Sequence, residues 1–549
     1  MPLPALHRRR ATRAGLALAA LVTTAAAPTM LTASGPAVAA DRHGRDKDLR
    51  ITDLQIMGTH NTYHRELSEA EKQVQLASGA ANRNLWYAHA GIADQLERQA
   101  VRGLELDLFR DPQGGLYKAP LIRRLAGLSP EHPAATAMSQ PGIKVLHVAD
   151  FDYNSTCWTF RDCLTQVKSW SDAHPDHVPI PIMVELKTSD AAVVRAGGVT
   201  APAWDAAGLD EMDAEIRSVF APGDLITPDD VRGAHATLEQ AVLEDGWPKL
   251  EGSRGKVFFL MDQGGAIRDA YRSGGRDVLQ GRAAFTNSLA GQPDAAFLKL
   301  NNPTSSGFHQ IREAVRKGYY VRTRSDEPIS TVSSGDTGMR DAALSSGAQL
   351  ISTDFPVAGM AARYGTDFVA ELPGGVPVRC NPVTATSRCR DDDLEEPRSA
   401  AAAPNDGGFA FEAEDLLPAL RNDAPLEASG NSSGIAWSGG AHLWMSSTRA
   451  GQSFTVPFNL TGKGGRFALR AAFTQKAEYS QVQISVDGKP VGGPVDTYAP
   501  TIRLSELIDL GTLDLRGGRH ELTATAVGRN AAATSYRISL DRVVLSPAR

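Results

Sequence analysis

Short apolar runs alternate with stretches of helical character through most of the chain before residue 375. Eight of these runs have the length and composition of buried β-strands. They span residues 54–57, 103–108, 143–147, 182–186, 256–262, 295–301, 319–324 and 349–354. Strands separated by helices are typical of a parallel sheet, and eight of them predict a (β/α)8 TIM barrel, an α/β fold whose active site lies at the carboxyl ends of the strands.

The stretches between the runs predict the crossover helices of this barrel. The candidates are residues 92–101, 210–220, 309–317 and 339–346. The interval of about 70 residues between the fourth and fifth strands is too long for one helix, so we expect an insertion near the mouth of the site.

After residue 408 the pattern changes to short segments in which apolar and polar residues alternate. Turn signals such as Gly-Lys-Gly-Gly and Asp-Gly-Lys separate these segments, which predicts an antiparallel β-sandwich over residues 409–549. Residues 390–408 are acidic and then rich in Ala and Pro, as expected of a linker. The barrel domain therefore occupies residues 41–389 in this prediction.

The first 40 residues predict export. Four Arg residues precede an apolar run that ends at Ala27, and small residues at 37–39 allow cleavage, so we expect a secretory signal peptide over residues 1–40. Its removal takes away four Arg and no acid, which moves the formal net charge from −6 to −10. We expect a secreted, extracellular protein without a polybasic membrane anchor, and twin-arginine export stays open.

Polar side chains lie at the ends of the first four predicted strands. Glu105 and Asp107 share a face of their strand, because a strand alternates faces with a period of two. Two carboxylates this close repel each other unless a cation lies between them. Glu185 and the amide oxygen of Asn61 would complete a set of oxygen ligands, which favours calcium or magnesium over zinc. We expect Ca²⁺, because calcium tolerates an irregular cage built by the protein.

The same segments carry a family resemblance, and His60 and His147 are left in them for proton transfer. MGTHNTYH, LELDLFRDP, the LHV around His147 and MVELK resemble the calcium-dependent phosphoinositide-specific phospholipase C family in its secreted bacterial form, over roughly residues 50–375. The resemblance implies that His60 contacts the phosphoryl group and that His147 acts as an acid or as a phosphate ligand. It also implies a set of calcium ligands, namely Asn61, Glu105, Asp107 and Glu185.

Basic residues near the predicted strand ends are candidates for binding an anionic phosphodiester, because ammonium and guanidinium groups can face its nonbridging oxygens. They are Lys187, which follows Glu185 by two positions, and Arg322 and Arg324, which share a face of the seventh strand. Further polar residues end strands and could support the site, namely Asp262, Asn301 and Asp354.

Four Cys residues in an exported chain predict disulfide bonds. The close pairs Cys157 with Cys163 and Cys380 with Cys389 are the simplest connectivity, although four Cys residues allow three pairings. Only 6% of the chain is aromatic and no basic stripe is present, so nucleic-acid binding has no support.

The C-terminal segment resembles the jelly-roll carbohydrate-binding modules that open with an EAE-like strand and close with a strand carrying Asp. That resemblance implies a second, structural calcium held by Glu412, Glu414 and Asp541, and polysaccharide as a possible partner. Aromatic residues could supply surfaces for sugar stacking, although in a sandwich they more often form core. The candidates are Trp437, His442, Trp444 and Tyr479.

Together these features predict a calcium-dependent enzyme that cleaves phosphatidylinositol at a membrane or micelle surface and acts as a monomer. Attack of the inositol hydroxyl on the phosphodiester would release diacylglycerol and a cyclic or linear inositol phosphate. One alternative is a glycerophosphodiester phosphodiesterase, whose first motif would resemble HRG where this chain has His60-Asn61-Thr62. The other is a catalytically inactive surface protein that binds carbohydrate.

Overall fold

A computed structural model of the protein describes residues 43–358, 360–395, 409–416, 419–430, 435, 437–438, 441–460 and 464–548. The predicted signal peptide lies outside these residues, as does most of the predicted linker, residues 396–408. None of the described helices combines the length and the apolar character that a membrane crossing requires.

The N-terminal α/β part contains two five-stranded sheets. Its strands are β1 (Leu54–Thr59), β2 (Leu104–Phe109), β3 (Lys144–Val145), β4 (Ile180–Leu186), β5 (Val257–Met261), β6 (Ala284–Thr286), β7 (Phe297–Lys299), β8 (Tyr320–Arg324), β9 (Leu350–Thr353) and β10 (Val378–Cys380). One sheet has the order β10-β1-β9-β8-β7 and the other β3-β2-β4-β5-β6. The pairs are parallel except at β10 and β3, which run antiparallel to their neighbours.

Parallel bridges also join the two sheets to each other. Gly58 of β1 pairs with Gly103 just before β2, and Asn287 just after β6 pairs with Phe297 of β7. A Cβ atom on Gly58 would lie 2.9 Å from the carbonyl oxygen of Gly103, so this close approach of two backbones requires glycine.

Helices connect the parallel strands. They are α1 (Glu69–Ser78), α2 (Ile92–Glu97), α3 (Leu121–Leu125), α4 (Ala135–Met138), α5 (Phe160–Ala173), α6 (Ala191–Arg195), α7 (Ala206–Val219), α8 (Pro228–Arg232), α9 (Leu238–Glu244), α10 (Gly265–Tyr271), α11 (Ser305–Arg316) and α12 (Gly338–Ser346). The four predicted helices correspond to α2, α7, α11 and α12, of which α2 ends four residues earlier than expected. Helices α6 to α9 fill the long interval between β4 and β5, which confirms the predicted insertion.

Short 3₁₀ and π turns complete the connections. The 3₁₀ turns are His43–Asp48, Ile51–Asp53, Ala80–Leu85, Pro222–Asp224, Leu250–Gly252, Met360–Tyr364, Pro373–Gly375, Asp391–Asp393 and, in the C-terminal segment, Ala413–Leu416. One π turn, Pro328–Val332, follows β8. Its position places it at the carboxyl end of that parallel strand.

One of the eight predicted strands is present but is shorter than predicted and does not belong to the parallel series. The run at residues 143–147 forms only the two-residue strand β3, which runs antiparallel to β2 and lies at a sheet edge. The parallel strand that the sequence did not predict is β6, which pairs with β5 and has only three residues. The apolar run at 143–147 is longer than β6, so length alone favoured the wrong segment.

The apolar faces of the strands build the core of the α/β part. Leu104, Leu106 and Leu108 of β2 are buried in one large hydrophobic cluster, and burial of each contributes roughly 1.5–3 kcal/mol to folding. Because faces alternate along a strand, Glu105 and Asp107 point to the opposite side, as predicted. The core packing therefore fixes the direction of two polar side chains.

The C-terminal β-region, residues 409–548, has only antiparallel strand pairings among its described strands, apart from one isolated bridge. They are β11 (Phe409–Glu412), β12 (Arg421–Asn422), β13 (Leu426–Gly430), β14 (Ala441–Met445), β15 (Ser453–Leu460), β16 (Gly465–Ala472), β17 (Thr474–Gln475), β18 (Gln481–Val486), β19 (Lys489–Pro490), β20 (Val495–Asp496), β21 (Arg503–Leu504), β22 (Ile508–Leu515), β23 (Gly518–Gly528), β24 (Ile538–Leu540) and β25 (Arg542–Pro547). The two largest sheets have the orders β11-β25-β16-β22 and β12-β15-β23-β18-β19. One hydrophobic cluster joins residues of both, such as Phe467 and Phe454.

The C-terminal β-region packs against the α/β part, and Arg42–Arg549 forms one unit. Ala88 of the α/β part is buried in the hydrophobic cluster of the β-region. Arg98 Nη1 lies 3.0 Å from Glu412 Oε1, and Arg363 Nη2 donates to the carbonyl oxygen of Ala419 at 3.3 Å. The contact between the two parts is thus both apolar and charged.

Both predicted disulfide bonds are present. Cys157–Cys163 lies at the start of α5, and Cys380–Cys389 joins β10 to the segment that follows it. No free cysteine occurs among the described residues.

Candidate functional site

Three carboxylates meet at the carboxyl ends of β2 and β4. Asp107 and Glu185 are direct neighbours in the parallel pairing of these strands, and Glu105 precedes Asp107 on the same face. One oxygen atom of each residue lies within 4.8 Å of the others. Burial raises the pKa of Asp107 well above its usual value, and the charges of Glu185 and Glu105 add to this effect. A cation is the simplest partner for such a group.

Asn61 follows β1 and turns its amide oxygen into the protein. Its backbone has the left-handed φ of 50°, which Asn tolerates better than most residues. The amide Nδ2 donates to the hydroxyl of Tyr87 at 2.8 Å, while the buried Oδ1 has no hydrogen-bond partner. Oδ1 of Asp107 is also buried without a hydrogen-bond partner. Buried oxygens without a donor are costly, so these two atoms fit ligands of a hard cation such as calcium.

Basic side chains already contact the carboxylates. Lys187 Nζ lies 3.2 Å from Asp107 Oδ2 and 3.1 Å from Glu185 Oε1. Burial lowers the pKa of Lys187, but the two carboxylates outweigh burial and raise it overall. Arg322 Nη2 lies 2.6 Å from Glu105 Oε2 and 3.0 Å from Ser352 Oγ, and Arg322 Nη1 contacts Asn301.

His60 lies between Asp354 and Glu105, one of the three carboxylates at the ends of β2 and β4. Its Nδ1 is 2.8 Å from Asp354 Oδ1, and its Nε2 is 3.9 Å from Glu105 Oε1. Arg324 Nη2 contacts the other oxygen of Asp354 at 3.2 Å. Burial and the Arg324 charge lower the pKa of His60 well below its usual value. The Asp354 contact occupies Nδ1, so Nε2 is the ring atom available to a ligand.

His147 is tied to a second buried acid. Its Nδ1 lies 2.7 Å from Asp152 Oδ2, and the same oxygen lies 2.8 Å from Nε2 of His64. Burial raises the pKa of Asp152, but the two histidines outweigh it and hold the pKa below its usual value. Burial lowers the pKa of His147. Because Asp152 occupies Nδ1, His147 has Nε2 available, as His60 does. Both side chains are about one-fifth exposed, His147 at 18% and His60 at 19%.

The structure brings most of the predicted site residues into one network. Contacts link each basic residue to an acid of the site, Lys187 to Asp107, Arg322 to Glu105 and Arg324 to Asp354. Asp354 and Asn301, noted as strand-end residues, contact His60 and Arg322. Asp262, which follows β5, instead pairs with Lys299, the last residue of β7, at 2.5 Å.

Sequence reasoning missed three members of the network, His64, Tyr87 and Asp152. Tyr87 and Asp152 lie on loops, where no periodic pattern marks a side chain as functional. His64 belongs to the segment MGTHNTYH, and its position four residues after His60 was the available signal.

The calcium ligands predicted in the C-terminal β-region are less closely grouped than the three carboxylates at β2 and β4. Glu412 Oε1 contacts Arg98 and Ser438, and both carboxylate oxygens of Asp541 are buried. Burial and the charge of Glu412 raise the pKa of Asp541 to about 8. Within the described ranges, two groups of acidic and histidine side chains bring one ligand atom of each member within 4.8 Å of the others, and Glu412, Glu414 and Asp541 do not form such a group.

The aromatic candidates of the C-terminal β-region are mostly core. Trp437, His442 and Tyr479 are buried. Trp437 and His442 stack with a centroid distance of 4.6 Å and share the hydroxyl of Thr474 as a hydrogen-bond partner. Trp444 is half-buried beneath Arg537. Packing therefore explains these side chains.

A family model described as phosphoinositide phospholipase C, Ca²⁺-dependent, matches residues 49–382. No curated protein matches the chain. Among solved structures, a calcium-dependent phosphoinositol-specific phospholipase C from Pseudomonas sp. is 16% identical, with 61% of this chain and 97% of that chain covered and a TM-score of 0.37.

Two further solved structures are each similar to part of the chain. A Ca²⁺-dependent phosphatidylinositol-specific phospholipase C from Streptomyces antibioticus is 18% identical, with 56% of this chain and 95% of that chain covered and a TM-score of 0.34. A Paenibacillus xanthan lyase is 20% identical, with 27% of this chain and 13% of that chain covered and a TM-score of 0.24. The match to the family model carries the assignment.

Proposed function

The chain belongs to the calcium-dependent phosphoinositide phospholipase C family, and from this we propose how its own residues perform the reaction. The observation that carries the proposal is the pair of buried oxygens without a donor, Asn61 Oδ1 and Asp107 Oδ1, beside Glu105 and Glu185. These four residues would hold calcium. When bound, calcium supplies a positive charge that lowers the pKa of an inositol hydroxyl and offsets negative charge on phosphorus.

The two histidines have different roles, one in binding the phosphoryl oxygens and the other in protonating the leaving group. The imidazolium form of His60, which the negative charge of a bound phosphodiester favours, donates a hydrogen bond from Nε2 to the phosphoryl oxygens while Asp354 holds Nδ1. The imidazolium form of His147, with Nδ1 held by Asp152, donates its Nε2 proton to the departing diacylglycerol oxygen. Glu105 or Glu185 accepts the proton of the attacking inositol hydroxyl. The products are diacylglycerol and a cyclic or linear inositol phosphate.

The three basic residues contact acids of the site and are also proposed to bind the phosphate of the substrate. Arg324 lies beside His60 through their common partner Asp354, so it can face a phosphoryl oxygen held by His60. Lys187 and Arg322 contact the carboxylates directly, and both would reach the diester only at the edge of the calcium site. All three stay proposed substrate-binding residues.

The decisive experiment incubates the protein with phosphatidylinositol micelles, first with calcium and then with a chelator. We expect calcium-dependent release of diacylglycerol with inositol phosphate. His60→Ala and His147→Ala should each lose most turnover, while His309→Ala, an exposed histidine on α11, should not. Near-normal turnover in a folded His60→Ala or His147→Ala protein would contradict the assignment. Cleavage of glycerophosphoinositol alone would indicate a glycerophosphodiesterase.

We also propose that the two sheets of the α/β part form one (β/α)8 TIM barrel. The parallel pairings run β1-β9-β8-β7 and β2-β4-β5-β6, and the bridges Gly58–Gly103 and Asn287–Phe297 link them at both ends. This ring has eight parallel strands once β6 replaces the wrongly predicted third strand. The site residues then lie at the carboxyl end of the barrel, where such enzymes bind substrate.

The protein is proposed to be secreted and to act as a monomer at a lipid surface. The two disulfide bonds support an oxidising compartment. Size-exclusion chromatography with light scattering tests the monomer, and a mature N-terminus near residue 41 in the exported protein tests the signal peptide.

The C-terminal β-region is proposed to be a jelly-roll sandwich that binds polysaccharide and a structural calcium through Glu412, Glu414 and Asp541. The shared hydrophobic cluster of its two largest sheets supports the sandwich, and the buried oxygens of Asp541 support the cation. Retention of the full chain on insoluble polysaccharides tests the partner. Loss of a second calcium equivalent in Asp541→Asn, with the first retained, tests the cation.

A further inference from the structure

Tyr87 contacts two residues of the proposed site at once. Its hydroxyl accepts a hydrogen bond from Asn61 Nδ2 at 2.8 Å. Its ring stacks on His64 with a centroid distance of 4.3 Å, and its carbonyl oxygen lies 3.0 Å from His64 Nδ1. The side chain is almost completely buried, at 2% exposure. Its surroundings therefore leave the ring little freedom to rotate.

The hydrogen bond to Tyr87 supports the observed orientation of the Asn61 amide. An amide that turned over would place Oδ1 at the Tyr87 hydroxyl and its NH₂ group toward the carboxylates. With the amide as observed, Nδ2 is satisfied by Tyr87 and Oδ1 is left without a partner on the opposite side. A residue outside the proposed ligand set thus supports the side chain that presents Oδ1 to a cation.

The segment that carries Tyr87 is held from the other side by the C-terminal β-region. The next residue, Ala88, is buried in the hydrophobic cluster of that region. Arg363 Nη1 donates to the carbonyl oxygen of Trp86, and Arg363 Nη2 donates to that of Ala419, each at 3.3 Å. The residues on both sides of Tyr87 therefore contact, directly or through Arg363, the C-terminal β-region.

We propose that Tyr87 is a positioning residue for the calcium ligand Asn61, and that the C-terminal β-region holds Tyr87 in place. The C-terminal β-region then has an effect on calcium affinity that is separate from any binding of polysaccharide. This inference rests on the proposed function, since it assumes that Asn61 binds calcium.

The test measures calcium binding by isothermal titration calorimetry on the full chain, with CaCl₂ as the only ligand. Tyr87→Phe keeps the ring on His64 and removes only the hydroxyl, so the expected result is a calcium Kd about tenfold weaker with the fold intact. Turnover should return toward the wild-type value at saturating calcium, because the ligand is displaced and not removed.

The matched control is Tyr117→Phe, which likewise removes only a hydroxyl, here one that donates a hydrogen bond to the carbonyl oxygen of Arg110 at 2.9 Å. Its calcium Kd should equal that of the wild type. Equal Kd values for the wild type and Tyr87→Phe would overturn the role of Tyr87. Absence of calcium binding at this site in the wild type would instead contradict the proposed function itself.

The contribution of the C-terminal β-region is tested through Arg363. Arg363→Met should weaken calcium binding about threefold, whereas Arg340→Met, which removes a hydrogen bond to Val369 within the α/β part, should not. If Arg363 acts through Tyr87, then adding Arg363→Met to Tyr87→Phe should cause no further loss. Additive losses, or no loss in Arg363→Met, would overturn this part of the inference.

Discussion

The Nδ1 atom of His60 lies 2.8 Å from Oδ1 of Asp354, a buried carboxylate directly after β9. Burial raises the pKa of Asp354 to about 6, although the Arg324 charge opposes this effect. At pH 7.5 the carboxylate is therefore mostly ionised and holds the proton of His60 on Nδ1. This arrangement selects Nε2 as the atom that faces substrate.

Asp354→Asn should lower kcat by roughly 10² to 10⁴, because an amide can stabilise the wrong ring tautomer of His60 and cannot balance its positive charge. The KM for phosphatidylinositol should change little. Steady-state kinetics in micelles measures both constants.

The control for this change is Asp262→Asn, which neutralises another strand-end carboxylate that pairs with Lys299. It should leave kcat within a few-fold of the wild type. If Asp354→Asn kept full kcat while His60→Ala did not, Asp354 would have no role in orienting His60.

Lys187→Met should tighten calcium binding at least about threefold. The Lys187 ammonium lies within 3.2 Å of both Asp107 and Glu185, so it competes electrostatically with any cation at these carboxylates. Calcium titration by calorimetry measures the change, and turnover at saturating calcium shows whether Lys187 also serves substrate.

Lys299→Met provides the comparison, because Lys299 makes the same kind of strand-end ion pair with Asp262 outside the proposed calcium ligands. It should leave the calcium Kd unchanged. Weaker calcium binding in Lys187→Met would show that Lys187 supports the carboxylate geometry.

Replacing Cys157 and Cys163 together by Ser should lower the free energy of unfolding by about 2 kcal/mol, the entropy expected for a short closed loop. The bond lies just after the loop that carries Asp152, and both cysteines are fully buried. We also expect a lower kcat, since a looser loop would position Asp152 and hence His147 less well. Urea unfolding and steady-state kinetics measure the two effects.

The double replacement of Cys380 and Cys389 separates stability from catalysis. This bond follows β10 and involves none of the site residues. It should cost similar stability and keep kcat. Equal loss of kcat in both double variants would indicate a general loss of folded protein.

Asp541→Asn should change how stability depends on pH in the absence of calcium. The folded pKa of Asp541 is raised to about 8, chiefly by burial, from an ordinary value of 3.8. Below pH 3.8 the group is protonated in both states. As the pH rises toward 8, the unfolded chain ionises first, so the wild type loses up to about 1.4 kcal/mol per pH unit from this group.

The stability gained by Asp541→Asn in EDTA should therefore grow from pH 5 to pH 8. Thermal or urea melts at four pH values measure it, and Asp487→Asn, in a half-exposed carboxylate of the same region, is the control. A constant difference between wild type and Asp541→Asn at every pH would contradict the raised pKa.

Residues at the ends of long parallel strands could be predicted from the sequence. Glu105, Asp107 and Glu185 converge because alternation sets their faces and parallel pairing brings the strand ends together. Both disulfide bonds also followed from short spacing. Such local rules hold where the core overdetermines the backbone.

Other features depend on contacts that no local pattern records. The strand β6 has only three residues, and Ala284, Phe285 and Thr286 resemble many loop segments. His64 and Asp152 are 88 residues apart, and their contact arises only when the two loops fold together. The orientation of Asn61 depends on Tyr87 in the same way.

Lys187 and Arg322 give the carboxylates Glu105, Asp107 and Glu185 internal counterions. Because these two cations already offset part of the negative charge, we expect the polypeptide to reach its folded shape without calcium. We therefore expect calcium to act as a reversible switch: turnover should follow calcium occupancy while the melting behaviour of the α/β part changes little. A cell could therefore assemble and store this enzyme in a calcium-poor space and have it begin work on arrival in a calcium-rich one.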